Sequence, residues 1–268
     1  MPHLITTWGA VTTIRIARPE FANSVVPEMM DDLKAAFEEV ERRDEVRAVV
    51  VTGSKQFFCA GADVRAQHSL YVERGLDAAM DYQSDTWMPS VQRGMRAVWN
   101  ASKPVVAAIN GAAVAGGLDL ALLCDYRIAV PDAKLGESYM NLGVVTVAGG
   151  SYLLPMLVGP GKASWMLLSG RLISGEEASR LGLVDELAAP EDLLERAVQR
   201  ATEMSASAPE AIRRMKQVIR ASMQQGLDAS MAAGLKNNGE LLRTKEVRER
   251  FLTVLNAFRP KAGSEKKV

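Results

Sequence analysis

The sequence predicts an α/β domain followed by a helical C-terminal region. Short β-branched or apolar runs alternate with segments of helical spacing up to about Ser174. Two glycine-bearing turns each follow a strand-like run and lead into a helix-like one. Beyond Ser174 the texture changes to mostly helical segments with serine–glutamate start signals.

Residues 4–8 and 11–17 alternate around Gly9 and read as a hairpin. Pro27 opens a helix through Val40, with apolar residues at Met30, Leu33, Ala36, Phe37 and Val40. Val46–Val51 is an apolar run broken only by Arg47, a buried strand that ends at Thr52-Gly53-Ser54. Val105–Ile109 repeats the type, Asn110-Gly111 closes it, and Gly116-Gly117 opens the next helix. Tyr126–Val130 is a further strand, and a short one is expected near Leu183–Leu187. Ser174-Gly-Glu-Glu177 and Ser207-Ala-Pro-Glu210 fit capping boxes, and residues 191–205, 208–225 and 227–257 are expected to be mostly helical. The expected division is a core over 1–195, a helical region over 196–260 and a disordered tail over 261–268.

Hydrophobic residues make up 48% and charged residues 24% of the 268, ordinary for a soluble globular chain. Lys+Arg and Asp+Glu balance at 32 each, which gives no electrostatic case for nucleic acid or an anionic membrane. Arg213, Arg214, Lys216 and Arg220 cluster on one helix and read as a solvated face. No apolar stretch is long enough to span a membrane, and no signal peptide is seen at Met1–Ala10. Cys59 and Cys124 are too few for a disulfide framework and read as small buried residues. A reducing, cytoplasmic location and no metal site are the expectations.

The chemistry is carried by the two turns. In Phe57-Phe-Cys-Ala-Gly-Ala-Asp63, Gly61 lets a ligand approach the backbone, and the Ala62 N–H points outward at a helix start. In Ile109-Asn-Gly-Ala-Ala-Val-Ala-Gly-Gly-Leu-Asp119, the Gly116 N–H can be a second donor. Two donors converging on one oxygen form an oxyanion hole, worth roughly 3–4 kcal/mol per donor in known cases.

Taken together, Phe58-Cys-Ala-Gly-Ala-Asp63 and the run Asn110-Gly through Cys124-Asp125 resemble the crotonase (enoyl-CoA hydratase/isomerase) superfamily. Arg18-Pro19 with Asn23, Ile173–Asp185 and Phe251–Pro260 extend the resemblance over nearly the whole chain. It implies a spiral of ββα units with a helical oligomerisation region that packs trimers or hexamers. It also implies a coenzyme A thioester substrate, with no separate cofactor, whose carbonyl sits between the N–H groups of Ala62 and Gly116. By the same analogy, Ala60, Gly61, Asp63, Val64 and Arg65 would line the CoA path.

The hydratases of this family place two glutamates at the substrate, and the matching positions here are Asp119 and Tyr139. Tyrosine, with an ordinary pKa of about 10, is a poor base near neutrality, so two-carboxylate hydration is not expected. Asp119 is the candidate acid/base, with helix-dipole stabilisation as its structural alternative, and Tyr139 is either catalytic or a pocket wall. Asp63 is also read as a helix cap, Glu137 as a solvated or structural acid, and His68 as a surface histidine on the pocket rim. Val144, Val145, Thr146 and Val147 supply no further acid, Glu20 replaces a CoA-facing lysine, and Val254–Ala257 replaces a basic run. The expected activity is that of a lyase or isomerase acting through a thioester enolate, with decarboxylation or C–C cleavage as alternative reactions. A catalytically silent acyl-CoA-binding or scaffold protein is the alternative of another class.

Overall fold

The computed structural model describes residues 2–257, and the expected tail and the end of the closing segment, 258–268, lie outside them. Strands β1 (Leu4–Thr7) and β2 (Val11–Ile16) form the antiparallel hairpin, and helix α1 (Pro27–Arg42) follows. Then come β3 (Ala48–Thr52), β4 (Phe57–Cys59) and α2 (Val64–Tyr82), the last interrupted by Gly75 at φ 82°. A π turn over Gln83–Trp87 joins α2 to α3 (Met88–Asn100). The chain continues through β5 (Val105–Ile109), β6 (Ala112–Val114) and α4 (Gly116–Leu123). Next are β7 (Tyr126–Ala129), β8 (Lys134–Gly136), α5 (Gly150–Val158) and α6 (Pro160–Ser169). The remaining elements are β9 (Ile173–Ser174), α7 (Gly175–Leu181), β10 (Glu186–Leu187), α8 (Leu193–Met204), α9 (Pro209–Leu241) and α10 (Lys245–Ala257).

Two sheets organise the core, a six-stranded one in the order β1-β2-β3-β5-β7-β10 and a four-stranded one in the order β4-β6-β8-β9. The successive pairs β3–β4, β5–β6 and β7–β8 each give their first strand to the larger sheet and their second to the smaller. That repeated hand-off is the ββα spiral. Every residue of β3 and β5 is buried, which is why both read as unbroken apolar runs rather than alternating ones.

Several local expectations shift. Gly226 does not end a helix; α9 runs through it to Leu241. A Cβ there would stand 2.3 Å from the Tyr152 ring, so the glycine serves close packing. The cost of one helical glycine, about 1 kcal/mol, is too small to break a helix held by tertiary contacts. Only Glu186 and Leu187 of the expected strand 183–187 are extended, and Ser207 does not cap α9, whose N-cap is Ala208. Position 195–196 falls inside α8, which packs against β3, β5 and β7.

The basic cluster on α9 divides in two. Arg213 and Arg214 pair with exposed Glu210, as a solvated face would. Lys216 and Arg220 instead turn inward onto Asp125, at 2.6 Å each, and Asp125 also accepts from the Val105 N–H at 2.7 Å. One carboxylate thus ties α9 to the start of β5 and holds two largely buried cations. Replacing Asp125 by Ala leaves both uncompensated and is expected to cost about 3–5 kcal/mol, measured by urea unfolding. A loss below about 1 kcal/mol would show that α9 is held by its apolar contacts alone.

Candidate active site

The two glycine turns come together because β4 and β6 pair in parallel, Phe57 opposite Ala112 and Cys59 opposite Ala113. In the first turn Gly61 adopts φ +84°, and the backbone then bridges to Val25: the Val25 N–H donates to Gly61 O at 2.7 Å, and the Asp63 N–H to Val25 O at 3.0 Å. A Cβ on Gly61 would lie 2.9 Å from Val114 O and 3.7 Å from Gly116 N, which measures how closely the turns approach. In the second turn Ala115 carries φ 49°, ψ −118°, a conformation costly for a residue with a side chain, and its N–H is held by Gly136 O at 2.8 Å. Neither the Ala62 nor the Gly116 N–H donates to a protein acceptor among the described residues. Both residues line one narrow cavity with about 50 Å³ of free volume, together with Gln67, Trp87, Met88 and Tyr139.

The early Arg18/Asn23 motif supports the first turn from beneath. Asn23, fully buried and itself at φ 56°, donates to Ser54 O and Phe57 O and accepts from the Arg18 N–H. Arg18 reaches Asp63 at 2.8 Å, while the other Asp63 oxygen caps α2 through the Arg65 and Ala66 N–H groups. The Asp63 carboxylate is therefore fully engaged in structure. Of the residues expected along the CoA path, Ala60, Gly61, Asp63, Val64 and Arg65 border the first turn without lining the cavity. Arg65 is directed outward and donates to Glu20 O at 3.1 Å.

Asp119 lies in the first turn of α4, fully buried and behind Tyr139 rather than on the cavity wall. The Tyr139 hydroxyl donates to Asp119 Oδ2 at 2.5 Å, and Thr146 Oγ1 donates to both carboxylate oxygens at 3.0 and 3.1 Å. Burial raises the Asp119 pKa from 3.8 to about 6, against the pull of the bonds from Tyr139, Thr146 and the Gly150 N–H. Burial, then the Asp119 and Glu137 charges, push Tyr139 well above its ordinary value, so the phenol is neutral and keeps its proton.

Two sequence expectations are corrected here. Glu137 is neither solvated nor hydrogen-bonded: it is fully buried, and neither oxygen has a protein partner among the described residues. Burial, then the neighbouring Asp119 charge, raise its pKa well above the ordinary value. A Cβ on Gly150 would stand 2.4 Å from Asp119 Oδ1 and 2.7 Å from Glu137 Oε1, so the loop can close over the two acids only with glycine there. His68 is buried on α2 rather than on the surface, packed edge-on to Tyr71 with Nε2 unpartnered. Thr146 and Gly150 are site residues that local sequence did not disclose.

A family model described as enoyl-CoA hydratase/isomerase matches residues 6–261. The chain belongs to this crotonase family. YngF of Bacillus subtilis, whose name assigns it to the enoyl-CoA hydratase/isomerases, is 35% identical over 237 residues, 88% of each chain. A crotonyl-CoA hydratase of Syntrophomonas wolfei is 32% identical over 240 residues, 89% of each chain. An enoyl-CoA hydratase/isomerase structure from Pseudoalteromonas atlantica superposes with a TM-score of 0.83 at 27% identity, covering 97% of this chain and 99% of that one. Among the described residues of this crotonase-family enzyme, no helix is long and apolar enough to cross a membrane.

The raised Asp119 pKa has opposite consequences for stability and for chemistry. A carboxyl whose folded pKa exceeds its unfolded value contributes stability below the unfolded value and loses it as pH rises through the folded one. Between about pH 4 and 6 the fold therefore weakens while the ionised, proton-accepting form accumulates. Asp119→Asn is expected to flatten this part of the stability profile and to be no less stable than wild type at pH 7.5, by thermal unfolding at each pH. A large loss of stability in that variant would refute the view that Asp119 is ionised at a cost to the fold.

Proposed function

We propose that this crotonase-family enzyme binds a coenzyme A thioester with its carbonyl oxygen between the Ala62 and Gly116 N–H groups. The reading rests most heavily on those two donors, side by side on one cavity and without protein acceptors. Negative charge developing on the thioester oxygen would be met by both N–H groups, which makes a proton at the α-carbon removable near neutral pH. The cavity-facing proton carrier is Tyr139. As its oxygen takes a substrate proton, its own proton passes along the 2.5 Å bond to Asp119. An Asp119 carboxylate with a pKa of about 6 is receptive at neutrality, which an exposed aspartate is less able to be. Return of the proton to a different carbon gives isomerisation, and delivery of water gives hydration, by one relay in place of two glutamates.

Tyr139→Phe breaks this relay without emptying the cavity. Solvent-deuterium incorporation at the α-carbon of a bound enoyl-CoA or acyl-CoA ester is expected in wild type and slower by about 10²–10³-fold in the variant. Wild-type rates in Tyr139→Phe would remove Tyr139 from the mechanism. Exchange absent from wild type with every ester it binds would favour the silent acyl-CoA-binding protein, and loss of carbon dioxide or chain cleavage, seen by mass, would favour the alternative reactions.

The same reading includes self-assembly through the helical region. It is supported by exposed Met215, Val218 and Ile219 on α9 and exposed Met156 on α5, of which Met156 and Ile219 line one surface groove. Light scattering is expected to give a trimer or a dimer of trimers, and a monomeric mass at micromolar concentration would rule this out.

A further inference from the structure

The cavity that carries the two turns also contains polar groups the proton relay does not use. Gln67, on α2, and Gln83, at the start of the π turn, both line it and are both more than nine-tenths buried. Gln67 Nε2 donates to Gln83 Oε1 at 3.1 Å. One bond between two amides leaves one carbonyl and one NH2 over, whichever way the pair is oriented. Gln67 Oε1 is buried without a partner, and Gln83 Nε2 donates to nothing among the described residues. Trp87, at the other end of the π turn and also on the cavity, is 3% exposed with its indole N–H unpartnered.

An all-apolar acyl chain would leave these groups unsatisfied, and buried polar groups without partners are costly. A hydroxyl on the chain both donates and accepts, so it can complete the amide pair. Sites built to bond a substrate hydroxyl discriminate strongly against the analogue that lacks it. The remaining lining, from Val25, Met88, Val91, Val144 and Val147, is apolar and suits the methylenes that lead up to that hydroxyl.

We propose that Gln67 and Gln83, with Trp87, select a hydroxylated acyl chain, so that the substrate is an acyl-CoA thioester carrying an alcohol beyond its reacting carbons. This rests on the thioester reading given under Proposed function.

The test uses short straight-chain 2-enoyl-CoA esters, each paired with its ω-hydroxy counterpart. With the wild-type enzyme the hydroxylated member of the best pair is expected to be favoured by about tenfold or more in kcat/KM. In Gln67→Met/Gln83→Met the preference is expected to reverse. Equal or better use of the plain esters by wild type overturns the selection, as does a preference the double variant leaves unchanged. Wild-type affinity for the matching saturated hydroxyacyl-CoA and acyl-CoA provides a second measurement that does not depend on the variant folding, and tighter binding of the plain ester overturns the proposal. Failure of every ester to show either turnover or α-proton exchange overturns the underlying thioester chemistry, and this proposal with it, while exchange with plain esters alone overturns only the proposal.

Discussion

Strands β4 and β6 are only three residues each and run parallel, side by side, in the smaller sheet. Because each leads into a helix at its C-terminal end, their two turns have to lie next to one another. Parallel pairing thus converts two ordinary helix starts, each with N–H groups that lack an intrahelical partner, into a single place where two such groups face one cavity. Much else in the structure is arranged around that adjacency. Asn23 and Arg18 prop the first turn, and the Gly136 carbonyl holds Ala115 in its strained conformation.

Beside the turns sits a group of two buried acids, Asp119 and Glu137, and the hydroxyls of Tyr139 and Thr146. Asp119 is surrounded by donors from Tyr139 and Thr146, yet burial outweighs them and lifts its pKa. Glu137 beside it has no protein partner among the described residues, and burial raises its pKa as well. Like carboxyls confined together and away from water tend toward unequal protonation, one ionised and one not. Asp119, which accepts from Tyr139 and Thr146, is the better placed of the two to hold the charge.

What could be read from the chain and what could not separates along a physical line. The turns at Ala62 and Gly116 are local events, a strand-like run, glycine and a helix start in immediate succession, so their chemistry is legible in order along the sequence. The β3 and β5 strands are likewise legible, because complete burial leaves an unbroken apolar run. The burial of Glu137 and His68 is not legible along the chain, because burial depends on what folds over a residue: for Glu137 that is Gly150 at the start of α5. The partnership of Thr146 with Asp119 spans 27 residues and leaves no periodic trace. Lys216 and Arg220 share a helix with Arg213 and Arg214, and only the position of Asp125 distinguishes the inward pair from the outward one.

The π turn at Gln83–Trp87 has a consequence of an evolutionary kind. A π turn holds one residue more than the α-helix it interrupts, and removing that residue restores regular winding. A single-codon deletion between Gln83 and Trp87 would therefore bring these two residues one position closer along the chain while leaving α2 and α3 intact. The wall of the cavity can thus be re-spaced in one genetic step. The Ala62 and Gly116 turns lie away from this segment and would not register the change.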